Sequence, residues 1–93
     1  MNIEQIKAMQ SEYGFTEIQN LIDTGTAWLM EGSIGRQAMD CLKSGACFLP
    51  EAAHRDYYGN KVPARQEVQE GSTGSLENSI EFWSNPDNPF YFN

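Results

Sequence analysis

Apolar residues recur at helical spacing through the first half of the chain and lose that spacing after Gly45. Ile3, Ile6 and Tyr13 share one side of a segment that Asn2 is placed to cap and Gly14 to stop, which predicts a helix to about Tyr13. Thr16 opens a second helix, with Gln19 three residues on to complete a capping box. Ile18, Leu21, Ile22, Trp28 and Leu29 supply its stripe, and Gly32 ends it. Gly25 interrupts this pattern, either as a break or as a place where another backbone passes close. Ser33 caps a third helix with Ile34, Ala38, Cys41 and Leu42 on one face, Lys43 in the last turn and Gly45 as its stop. Only Gly32 and Ser33 then separate the second and third helices, which predicts a tight helical hairpin.

Beyond Gly45 the spacing is different. Ala46–Pro50 is a short apolar plug closed by proline. Residues 54–65 place adjacent tyrosines beside Gly59-Asn60, a dipeptide of hairpin turns. Two short strands and an irregular loop packed down by Tyr57 and Tyr58 are both compatible with that stretch. Gln66–Thr73 reads as a polar, mobile link. Ser75 caps a final helix with Leu76, Ile80 and Trp83 at i, i+4 and i+7, ended by Asn85-Pro86. The fold class is therefore mainly α. Residues 1–84 form one small helical domain, and 85–93 form an extended C-terminal arm carrying Phe90, Tyr91 and Phe92.

Charge adds a direction to this picture. Thirteen Asp and Glu oppose six Lys and Arg in 93 residues, a formal net charge of -7. All the bases lie at or before Arg65, whereas residues 66–93 hold Glu67, Glu70, Glu77, Glu81 and Asp87 with no base. Direct nucleic-acid binding needs a basic stripe to displace counterions, and none exists. The same lack disfavours anionic membranes. An acidic surface suits a basic protein or a site built for DNA phosphates. No apolar stretch approaches the ~20 residues of a membrane span, and the first residues lack the pattern of a signal peptide. Reduced thiols are then expected at Cys41 and Cys47, and they pair only if their Cα atoms come within ~7 Å.

Candidate chemistry is sparse. His54 is the single histidine, so a nucleophile device has only Cys41 or Cys47, with Asp56, to draw on. The alternative is an imidazole held by a backbone carbonyl. Cys41, Cys47, His54 and Asp56 lack the C-x₂₋₄-C pair of structural zinc sites, and no P-loop, G-x-G-x-x-G or H-E-x-x-H occurs. Gly32–Arg36 offers free N–H groups beside a cation, but a plain helix start explains the same residues more cheaply. No catalytic, cofactor-binding or metal residue is assigned. The expected partner contacts are Glu77, Glu81, Trp83, Asp87, Phe90, Tyr91 and Phe92, which combine the acidic segment with its aromatics.

Two blocks carry a resemblance: residues 21–36, Leu-Ile-Asp-Thr-Gly-Thr-Ala-Trp-Leu-Met-Glu-Gly-Ser-Ile-Gly-Arg, and 56–65, Asp-Tyr-Tyr-Gly-Asn-Lys-Val-Pro-Ala-Arg. Through them the chain resembles a group of small uncharacterised proteins encoded by tailed bacteriophages, over roughly residues 18–76. Ala64 stands where that group would have serine. The resemblance brings no established activity; it implies a phage product made in the bacterial cytoplasm. The expected function is a non-enzymatic acidic interaction protein that binds and modulates, chiefly by inhibition, a host or phage protein, such as a nucleic-acid-binding enzyme, in counter-defence or host takeover. A virion component, self-associating through the aromatic arm, is the alternative, and a small enzyme using His54 comes last.

Overall fold

The computed structural model describes residues 1–30, 32–85 and 87. Its elements are α1 (Ile3–Tyr13), α2 (Thr16–Asp23), a 3₁₀ turn (Thr26–Trp28), α3 (Gly32–Ser44), β1 (His54–Arg55), β2 (Lys61–Val62), a second 3₁₀ turn (Arg65–Glu67) and α4 (Leu76–Ser84). The protein is mainly helical with one two-stranded antiparallel sheet, in which His54 faces Val62 and Arg55 faces Lys61.

Local chemistry accounts for most boundaries. Asn2 Oδ1 accepts from the Gln5 amide at 2.9 Å, and the Asn2 amide donates back to Gln5 Oε1 at 2.9 Å. That reciprocal pair satisfies two donors left orphaned at the start of α1. Ser75 caps α4 the same way, its Oγ accepting from the Asn78 amide at 3.1 Å. The capping box expected at Thr16 is absent. Phe15 occupies the cap position of α2 without a side-chain bond, because Gln19 is drawn into the interior instead.

The second helix also ends early. Asp23 closes α2, Gly25 adopts φ +80°, and the chain continues as a 3₁₀ turn rather than a helix to Gly32. Gly25 also meets a close neighbour. A Cβ there would lie 2.5 Å from His54 Nδ1, so the imidazole occupies the space a side chain would need. α2 and α3 pack against each other as a helical hairpin, but eight residues join them rather than two.

Ala46–Pro50 forms the centre of the fold. It is buried throughout and its side chains alternate: Cys47 and Leu49 join Ile22, Ala27, Ala38 and Leu42, while Ala46 and Phe48 join Ile6 and Trp83. One segment thereby divides the core into two halves. It belongs to no sheet, so its polar backbone must find other partners. Gln10 Nε2 and Trp83 Nε1 donate to the Ala46 carbonyl at 2.9 and 3.2 Å. Gln19 accepts from the Phe48 amide at 3.1 Å and donates to its carbonyl at 2.9 Å. The Leu49 amide donates to Gly74 at 2.9 Å, and Arg65 reaches the Leu49 carbonyl at 3.2 Å.

α4 crosses close over the end of α3. A Cβ on Gly45 would lie 2.6 Å from the Asn78 carbonyl oxygen. Ser79 Oγ donates to the Gly45 carbonyl at 2.6 Å, and Asn78 Nδ2 to the Leu42 carbonyl at 3.1 Å. These bonds satisfy acceptors that a helix end leaves open. The Gln66–Thr73 link is anchored rather than loose. Gln66 donates to the Glu51 carbonyl at 2.8 Å, Arg65 pairs with Glu51 at 2.9 Å, and the Gly74 amide donates to Leu42 at 3.2 Å.

Candidate interaction face

The hairpin turn is built by Asp56. Its Oδ1 accepts from the amides of Tyr58 and Asn60, both at 2.9 Å, while Gly59 supplies the left-handed residue at φ +82°. The Tyr57 amide then donates to the Trp28 carbonyl at 3.1 Å, which fastens the hairpin tip to the 3₁₀ turn after α2. This anchoring presents the tyrosines outward. Tyr57 and Tyr58 are 76% and 85% exposed, with their rings in edge contact at 5.3 Å. They do not pack the loop down onto the fold, one of the two readings open for this stretch.

Apolar neighbours extend the face. Trp28, Met30, Met39, Tyr57 and Tyr58 line an open groove of about 550 Å³ with Gly32, Gly35, Arg36 and Asp56. Leu29, next to it in sequence, is 59% exposed rather than part of a buried stripe. Beneath the face, Trp28 Nε1 is buried with no acceptor among the described residues, a deficit that costs about 1–3 kcal/mol. The sequence contained a signal for part of this. Met39 lies off the Ile34–Ala38–Cys41–Leu42 stripe, and Leu29-Met30 follow the Gly25 break, so neither is held to a core-facing period.

The residues expected to contact a partner divide three ways. Glu77 and Glu81 lie one turn apart on the solvent side of α4, and Asp87 is exposed just beyond it. Trp83 must be withdrawn as a contact. It is completely buried, stacked on Tyr13 at 5.9 Å, in edge contact with Phe15 and Phe82, and hydrogen-bonded to Ala46. Its place in the Leu76–Ile80–Trp83 stripe turns it inward. Phe90, Tyr91 and Phe92 lie outside the described residues, as does most of the expected arm.

The chemical candidates form no common cluster among the described residues. His54 Nε2 donates to the Asp23 carbonyl at 3.0 Å, which is the backbone-held reading. Asp56 is committed to the turn. Cys41 and Cys47 are free thiols that pack beside one another in the first half of the core. Among the described residues, no group of three His, Cys, Asp or Glu side chains is arranged to hold a metal ion. Nor is any described helix long and apolar enough to cross a membrane.

The chain matches no protein-family model, no curated protein and no solved structure.

Proposed function

We propose that this chain is a non-enzymatic acidic interaction protein that binds a host or phage protein and inhibits it. The observation that carries this reading is the cluster of exposed large apolar side chains at the hairpin tip and the 3₁₀ turn. Adjacent tyrosines and methionines held on a bonded scaffold are the side chains that anchor protein interfaces. Exposed apolar side chains grouped on one face suit a protein interface, whereas singly scattered ones need no explanation.

The net charge of -7 gives the partner a sign. It favours a protein with a basic surface, including one that normally holds nucleic-acid phosphates, by raising the rate of encounter. Glu77, Glu81 and Asp87 contribute to that field and serve as steering charges, while the apolar face supplies the grip. If the resemblance to phage proteins holds, the encounter takes place in an infected bacterium.

Affinity purification from bacterial lysate at native expression level tests this reading. One protein recovered at a fixed ratio, with recovery falling as salt rises, is the expected result. Recovery of no partner, with residues 85–93 present or removed, contradicts it.

A further inference from the structure

The two cysteines that the proposed function leaves unused sit in a particular relation. The Cys47 amide donates to the Cys41 carbonyl at 3.1 Å. Ordinary bond lengths on either side of that contact hold the two Cα atoms within about 7 Å, and disulfides span Cα separations of about 4.4–6.8 Å. Both side chains face the same half of the core. Their access to solvent differs. Cys47 is fully buried, whereas Cys41 is half-buried and forms part of the wall of an open groove of about 470 Å³ beside Phe15, Glu17 and Gln37.

We infer that Cys41 and Cys47 form an oxidant-responsive dithiol, in which a hydroperoxide reacts with Cys41 from the groove and Cys47 closes an intramolecular disulfide from the core.

The polarity of the pair supports this division of roles. The Cys47 thiol is hydrogen-bonded to the Cys41 sulfur, which lowers the Cys41 thiol from its ordinary value against the opposing effects of burial and Asp40. The same bond, then burial, pushes Cys47 up. Cys41, the one of the two that lines the open groove, is the thiol that reacts first, and it does so as the thiolate. Its sulfur attacks one peroxide oxygen and the O–O bond breaks. The departing hydroxide takes a proton to become water, leaving a sulfenic acid on Cys41. The Cys47 sulfur then attacks the Cys41 sulfur and the S–O bond breaks. Hydroxide leaves with the Cys47 proton as a second water. Each sulfur has lost one electron, and the two peroxide oxygens have gained them. The new bond ties the end of α3 to the segment that divides the core, and it removes the Cys41 thiol from the groove wall.

The test treats the full chain with hydrogen peroxide and follows it by intact mass and peptide mapping. Cleavage after Lys43 places the two cysteines in different peptides, so a disulfide between them joins two fragments. The expected result is loss of two hydrogens from the monomer, loss of both alkylation sites, and one linked peptide pair that a thiol reductant separates. In Cys47→Ser the reaction stops at a sulfenic acid on Cys41, which dimedone captures. Two results overturn the inference: both cysteines remaining alkylatable after peroxide, or oxidation to separate oxygen adducts or interchain disulfides without the internal pair. The wild-type map decides the matter even if Cys47→Ser does not fold.

Discussion

Gln10 and Gln19, on successive helices, meet in the interior with Gln10 Nε2 2.8 Å from Gln19 Oε1. Both are almost completely buried, and between them they bond the backbone at Ala46 and Phe48. This carboxamide pair does for the central segment what a neighbouring strand does in a sheet. Buried backbone groups must be paired, and here side chains pair them.

Gln19→Leu should therefore be costly despite its similar size. It strands one of the two Gln10 Nε2 hydrogens and both Phe48 backbone groups, each orphan costing about 1–3 kcal/mol. Urea denaturation should show a loss of about 3 kcal/mol or more, a large part of the 5–15 kcal/mol typical of such domains. Gln10→Leu combined with Gln19→Leu should cost less than the two single changes summed, since the residues share one network.

Much of the fold was legible where its causes are local. Asn2 and Ser75 as caps, Gly14 and Gly45 as stops, and a turn at Gly59 depend on residues within a few positions of one another. The motif at Thr16 offers Gln19 a capping role, but the buried backbone at Phe48, 29 residues away, offers more. Trp83 was read as a contact although its own stripe pointed inward. The exposure of Tyr57 and Tyr58 depended on the bond from Tyr57 to Trp28, which spacing does not encode.

Gly25 and Gly59 share nearly the same backbone conformation, at φ +80° and +82°, but different surroundings. Alanine at Gly59 meets open space and should cost about 1–2 kcal/mol for its left-handed backbone alone. At Gly25 the new methyl also displaces His54 and its bond to Asp23, so thermal unfolding should show at least twice that loss. In a His54→Ala background the excess should largely disappear.

Trp83→Ala should lower stability by about 3–5 kcal/mol, the range for truncating a buried aromatic. Glu77→Gln and Glu81→Gln, on the exposed side of the same helix, should stay within about 0.5 kcal/mol. Chemical denaturation of the three variants separates a core residue from surface charges.

Glu67 is exposed, and the Lys61 ammonium, followed by the Ala64 amide, holds its carboxyl below the ordinary value. A carboxyl lowered on folding contributes stability above its unfolded pKa and loses it as pH falls through the folded value. The contact should fade on the acid side of the usual carboxylate range and weaken with salt. An NMR titration of the Glu67 side-chain carboxyl carbon checks the direction, and Lys61→Gln should move the midpoint back up.

The central claim is that the tyrosine–methionine face is the contact surface, and one binding measurement tests it most directly. Tyr57→Ser combined with Tyr58→Ser changes exposed side chains only, so the variant should fold with stability within about 1 kcal/mol of the parent, as for two ordinary surface changes. This folded variant should bind the recovered partner at least ten-fold more weakly, the effect of removing an anchor worth about 1.4 kcal/mol or more. Undiminished binding by the double variant, with its fold confirmed by circular dichroism, would contradict it.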